Sequence, residues 1–248
     1  MLPSSLRLTI LDFGLFQVHE NGRIIGIPGY LIETPTGEKI LVDTGFPRWY
    51  EEDRAKAVAD DDLDSFGRIL ELTREQSPAP QLERVGLAPS DITHLVLTHG
   101  DIDHVGRIDE FLHARIYIGA AELQMERPRY FLPVQRMEWP ENADYVPIEA
   151  DREIFPGVRL LLTPGHTPGH LSLMLRLQHT GTIVLTGDAI NRTQEIEEDR
   201  YSGAWDEALV RTSAKRLLDL ARDEDALLIY GHDPAQWKTL RKSPAYYD

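Results

Sequence analysis

Thr98-His99-Gly100-Asp101-Ile102-Asp103-His104-Val105-Gly106 places four potential metal ligands within six residues, directly after the apolar run Ile92 to Thr98. Neighbouring side chains on an uninterrupted strand or helix point to different faces. A strand that ends in a tight loop can instead splay them around one point. Three elements downstream repeat the grammar: Thr163-Pro164-Gly165-His166-Thr167-Pro168-Gly169-His170, Leu185-Thr186-Gly187-Asp188-Ala189 and Tyr230-Gly231-His232-Asp233. Each is an apolar strand, then a turn, then a His or Asp. One such His would ordinarily pack or cap. Four clusters in one context imply ligands gathered in loops at one end of a sheet system. Gly100, Gly106 and Gly165 lie beside candidates and permit close backbone turns. His19, His94, His113 and His179 fall outside the clusters and read as ordinary packing or surface residues.

Around these clusters the pattern is mixed α and β. Arg7 to Val18 reads as a first strand, with Asn21-Gly22 marking a hairpin into the apolar run that follows. Tyr30 to Gly45 repeats the scheme across a Pro35-Thr36-Gly37 turn. Trp49 to Gln76 is polar and helix-like. Ser77 to Pro80 breaks it, and a short helix ends near Val85-Gly86. Ala114 to Ile118, Val158 to Leu162, Leu171 to Leu177 and Thr182 to Leu185 read as strands. Short helices are expected at Ile108 to Phe111 and Ala120 to Met125. Asp206 to Ala221 is the long C-terminal helix, and Ala226 to Tyr230 a last buried strand. No short repeat or linker interrupts the chain, which reads as one domain over residues 1–248. The stretch Arg127 to Tyr145, rich in Pro and aromatics, and the pair Trp49 and Tyr50 are candidates for a lid or pocket wall.

Composition narrows the chemistry. With no cysteine, disulfides, a thiol nucleophile and thiolate-bound metal are all excluded. Any metal is therefore held by His and carboxylates, which suits zinc, manganese or iron. The net charge of −15 repels phosphate backbones, so no long nucleic-acid partner is expected. No apolar run approaches the ~20 residues of a membrane span, and Met1 to Ile10 lacks the layout of a secretory signal. No membrane partner and a cytoplasmic location are the expectations.

The run 99–104 resembles the His-x-His-x-Asp-His signature of the metallo-β-lactamase superfamily, with Asp101 where the second His normally stands. The Pro-Gly-His, Gly-Asp-Ala and Gly-His elements resemble the remaining metal motifs in their order. Their spacings of 62, 22 and 44 residues look most like the lactonase branch, which includes the acyl-homoserine-lactone lactonases and pyridoxolactonase. Leu41-Val42-Asp43-Thr44-Gly45 and the tail from Gly231 to Pro244 fit as well, so the resemblance covers nearly the whole chain.

That resemblance implies an α/β fold: an αββα sandwich of two mixed sheets flanked by helices. It implies two divalent ions, zinc first, with manganese or iron as alternatives. His99, Asp101 and His166 would bind one, Asp103, His104 and His232 the other, and Asp188 would bridge them. Asp43 would support the ligands, since a ligating His needs its other ring N–H fixed. His170 is given a supporting or structural duty. The anion at Asp101 should make its metal less Lewis acidic and favour harder ions. Three residues after the bridging Asp, the homoserine-lactone enzymes carry a Tyr; here that position is Asn191, which donates a hydrogen bond but cannot act as an acid.

The function implied is a hydrolase whose hydroxide, bridged between two metals, opens a lactone or cleaves a small carboxylic ester. Asp103, Asp188 and Asn191 are the candidate catalytic residues, and the partner is a small-molecule substrate. Asp103 is expected to relay a proton or to serve as a ligand alone. Hydrolysis of a phosphodiester, thioester or sulfate ester on the same metal core is the alternative, followed by redox use of bound iron. A non-enzymatic sensor module comes last, because such a ligand set leaves coordination open to substrate. A homodimer follows from the frequency of twofold assemblies.

Overall fold

The computed structural model describes residues 3–128 and 136–248. Among these, the strands are β1 Arg7–Val18, β2 Ile24–Glu33, β3 Lys39–Val42, β4 Gly67–Glu71, β5 His94–Leu97, β6 Arg115–Gly119 and β7 Asp144–Ile148 in one sheet. Its order is β4-β1-β2-β3-β5-β6-β7. The first four neighbours pair antiparallel and β3-β5-β6-β7 run parallel. The second sheet holds β8 Arg152–Phe155, β9 Val158–Leu162, β10 Leu171–Leu177, β11 Gly181–Leu185 and β12 Leu227–Ile229, in the order β12-β11-β10-β9-β8.

The period-two alternation of side chains sorts each strand between two cores. In β5, Val96 faces the second sheet, while Leu95 and Leu97 face outward. The core between the sheets is built from residues such as Leu8, Ile10, Ile32 and Val96 against Leu160, Leu173, Leu175 and Ile183. Outside the first sheet, Leu31, Leu41, Leu95 and Ile116 pack with Tyr50, Ala57, Leu82 and Phe111 from the helical segments. Outside the second, Leu161, Met174 and Val184 receive Val210, Ala214 and Leu217 of the helix Glu207–Asp223. The result is the expected four-layer αββα sandwich.

Some local readings need correction. The stretch from Trp49 to Gln76 is not helical throughout: after short helices at Trp49–Glu52 and Arg54–Asp61 it forms β4, which pairs with β1 through Val18 and Gly67. The last strand is only half buried, with Leu227 43% exposed at the sheet edge. Tyr50 walls no pocket, since it is fully buried and its hydroxyl donates to Asp61 at 2.7 Å, whereas Trp49 lines a separate cavity of about 430 Å³ with Arg136, Met137 and Pro140. Of the stretch Arg127 to Tyr145, Tyr130, Phe131 and Pro133 lie outside the described residues, Tyr145 belongs to β7, and the Trp139 ring N–H donates to the carbonyl of Met125.

Candidate metal centre

The four clusters meet. β5 ends at Leu97, and the chain then turns into one helical turn, Ile102–Val105. Asp101 immediately precedes that turn but makes no capping bond to it, so its carboxylate is free to face the cluster. The loop after β9 brings His166, the turn after β11 brings Asp188, and the segment after β12 brings His232. Both sheets therefore contribute.

The donor atoms fall into sets. His99, Asp101 and His166 offer atoms within 4.8 Å of one another, as do Asp103, His104 and His232. Asp188 stands between them. Its Oδ2 lies 3.6 Å from His166 Nε2, whereas its Oδ1 lies 3.7 Å from His104 Nε2 and 3.5 Å from His232 Nε2. Asp101 Oδ2 is 3.1 Å from His166 Nε2 and 3.4 Å from His99 Nε2.

Hydrogen bonding to the opposite ring nitrogens decides which atoms face inward. His104 Nδ1–H donates to Asp43 Oδ2 at 2.8 Å, and His232 Nδ1–H donates to the carbonyl of Gly26 at 2.8 Å. The Thr98 hydroxyl spends its proton on Asp43 at 2.7 Å, so it accepts from His99 Nδ1–H at 3.0 Å. Each ring is thereby left with an Nε2 lone pair toward the centre. His99 Nε2, His104 Nε2 and Asp188 Oδ1 are buried with no hydrogen-bond partner. Buried polar atoms left unpaired in this way are costly unless a ligand satisfies them, and their N/O lone pairs fit a pair of divalent ions.

Electrostatics agrees. Burial opposes charge on Asp188, but His232, His104 and His166 outweigh it and hold its carboxyl well below the ordinary range. Burial likewise pushes His166 down, yet its hydrogen bond to Asp101 and the charge of Asp188 leave it raised to about 9. These carboxylates draw positive charge inward, whether protons or metal.

Supporting residues complete the site. Asp43 sits in the left-handed region at φ 59, a strained backbone for a non-glycine residue that recurs at functional positions. There its two oxygens take the Thr98 N–H, the Thr98 hydroxyl and His104. His170 does not join either donor set. Its Nε2 accepts the N–H of Asp188 at 3.0 Å, and its Nδ1–H starts a chain through Thr163 Oγ1 and Ser172 Oγ to the carbonyl of Thr186. Burial, with His99 and His166 nearby, pushes His170 well below the usual histidine range, as this neutral-ring arrangement requires.

Sequence reasoning missed Glu122. It is fully buried on the short helix after β6, and it accepts the Gly100 N–H at 2.8 Å and the Gly169 N–H at 3.1 Å. One carboxylate thus ties the His99 and His166 loops together; only its proximity in three dimensions reveals this. Two of the flagged glycines are also explained. A Cβ on Gly165 (φ +133) would stand 2.1 Å from the backbone nitrogen of Val210, and one on Gly106 would stand 2.2 Å from that of Pro47.

A cavity of about 380 Å³ opens over the cluster. Asp101, Asp103, His166, Asp188 and His232 line its floor with Asn191, and Phe16, Val18, Ile25, Phe46 and Phe66 form an apolar wall. Asn191 Oδ1 is buried without a partner. Among the described residues, none of the stretch 127–145 lines this cavity.

The sequence model of the metallo-beta-lactamase superfamily matches residues 26–232. The N-acyl homoserine lactonase AiiA of Bacillus thuringiensis subsp. kurstaki is 33% identical over 237 residues, covering 91% of this chain and 89% of that protein. The N-acyl homoserine lactonase AttM of Azorhizobium caulinodans is 27% identical, covering 100% and 97%. Among solved structures, an N-acyl homoserine lactone hydrolase with the product N-hexanoyl-L-homoserine bound at its catalytic metal centre superposes with a TM-score of 0.83. It is 28% identical, over 97% of this chain and 98% of that one. With the sandwich, the ordered ligand clusters and these relatives in agreement, the chain belongs to the metallo-β-lactamase superfamily, on the branch that holds the N-acyl homoserine lactonases.

Proposed function

We propose that the protein is a metal-dependent hydrolase that opens a lactone or cleaves a small carboxylic ester. The observation that carries this reading is the pair of donor sets sharing Asp188 on the floor of an apolar-walled cavity. His99, Asp101 and His166 would hold one ion, and Asp103, His104 and His232 the other. Divalent ions bound there supply Lewis acidity and bring the pKa of coordinated water toward neutrality.

The chain's own groups do the rest. Asp188 directs one carboxylate oxygen to each donor set and so fixes their separation. Asp103, at the cavity floor, is placed to accept a proton as well as to ligate. Asn191 donates its amide Nδ2 to the Asp188 carbonyl at 3.5 Å, leaves Oδ1 unpartnered and has no proton to give up; substrates with good leaving groups should gain most. The wall of Phe16, Val18, Ile25, Phe46 and Phe66 excludes water and accepts an apolar acyl group. The solved relative with a ring-opened acyl homoserine at its metal centre supports the lactone as substrate class. Homodimeric assembly and action in the cytoplasm complete the proposal.

The test is a hydrolysis panel of lactones, aryl esters, phosphodiesters and thioesters on protein loaded with zinc, manganese or iron. Turnover of carbonyl substrates, lost on chelation and restored by metal, is the expected result. Phosphodiester turnover far above both lactones and esters, or full activity in metal-free protein, would overturn the reading.

A further inference from the structure

Arg23 lines the same cavity, on the side where Glu20 forms the rim. It enters from the segment just before β2, and its side chain is 22% exposed. Its Nη1 is buried without a hydrogen-bond partner. The carboxylate nearest to that nitrogen is Glu20 at 3.9 Å, beyond hydrogen-bond reach, on a side chain 59% exposed and free to turn to solvent. Arg192, next to Asn191, repeats the situation. Its Nε is buried and unpartnered, and Glu195 stands 3.9 Å away with one oxygen committed to the Asn191 N–H at 2.7 Å.

Arg23 in the cavity lining and Arg192 outside that lining thus each keep a buried donor without a partner. Burial and then the charge of Arg192 push the Arg23 pKa down, against the pull of Glu195, Glu20 and Asp188. The backbone of Arg23 closes the β1–β2 turn, its carbonyl accepting from Val18 N–H and its N–H donating to Asn21 Oδ1, but among the described residues its guanidinium ties no loop and caps no helix. A buried guanidinium N–H without an acceptor is destabilising until a ligand supplies one. A planar fork of donors matches a carboxylate best.

From this, and resting on the hydrolase reading above, we infer that the cavity selects substrates carrying a carboxylate or similar small anion apart from the scissile carbonyl, with Arg23 as the residue that binds it. The scissile group lies over the metal ligands, the apolar chain runs along the Phe16 and Phe46 wall, and the anion reaches Arg23. Arg192 adds positive potential behind it, in a cleft whose apolar walls focus the field.

The test compares two esters on the metal-loaded protein: mono-p-nitrophenyl adipate, with a free carboxylate, and its methyl ester, which is neutral there. Wild type should favour the free acid in kcat/KM by tenfold or more, mostly through KM and more weakly at high salt. Arg23→Gln should bring the ratio close to one, and Arg23→Lys should keep part of it. Calorimetry with adipate and monomethyl adipate provides a readout that needs no turnover: wild type should bind adipate more tightly, and Arg23→Gln should erase the difference at equal metal content. The inference is overturned if wild type prefers the methyl ester, or if Arg23→Gln changes neither the kinetic ratio nor the binding difference. Cleavage of both esters with no Arg23 dependence defeats only this inference. Arg23-dependent adipate binding with no cleavage of any ester or lactone defeats only the hydrolase reading.

Discussion

Asp43 and Asp101 are the residues at which single atoms decide the centre. Asp43 fixes the proton of His104 on Nδ1 because a carboxylate can only accept from it. In Asp43→Asn, an amide turned toward the ring can donate and so place the imidazole proton on Nε2, where the metal would bind. We expect metal affinity to fall about 10- to 100-fold, read by competition with a chromophoric chelator, with the fold kept by circular dichroism; unchanged affinity would remove Asp43 from the ligand support. Asp101 makes the opposite kind of test. Its carboxylate lies within 3.4 Å of both His99 Nε2 and His166 Nε2, so a histidine in its place still reaches the same point. Asp101→His should fold and shift selectivity toward zinc over manganese and iron. Identical metal preferences for the two proteins would show that Asp101 does not ligate.

At the scale of elements, the loops depend on residues that carry no ligand. Glu122→Gln keeps shape but leaves one acceptor oxygen where Gly100 and Gly169 need two. A buried N–H left unsatisfied costs about 1–3 kcal/mol, so both the urea midpoint and metal affinity should drop, and a wild-type midpoint would count against this role. The same scale shows what the sequence made legible. Strands with two buried faces, such as Leu95-Val96-Leu97 and Leu171 to Leu175, announced themselves as apolar runs. The strands that escaped, β4, β7 and β8, all lie at sheet edges. There one face and one row of backbone groups meet solvent, so the residues need no apolar pattern. Pro147 is tolerated inside β7 for the same reason. The His and Asp clusters were readable because each directly follows a strand. Glu122, Arg23 and Arg192 were not, because their roles arise from neighbours distant in sequence.

For the molecule as a whole, the centre links acidity to stability. In metal-stripped protein the folded His166 titrates at about 9, above its ordinary 6.5, and His104 and His232 are raised as well. The folded state then binds more protons than the unfolded chain between those values. Stability from His166 is complete below about pH 6.5 and is lost as pH rises through 9, and the raised His104 and His232 act in the same direction. The urea midpoint of chelated protein should therefore fall from pH 6.5 to pH 9, whereas metal affinity should climb as protons stop competing. A rising midpoint for the chelated protein would refute the assignment. The division of donors between the sheets carries one more consequence. His99 and His104 follow β5 of the first sheet, and Asp188 and His232 follow β11 and β12 of the second. Bound ions would act as rivets through the sandwich. Amide hydrogen exchange should then report one shared opening for β5 and β11 in the loaded protein, and two separate, faster openings once the metal is withdrawn.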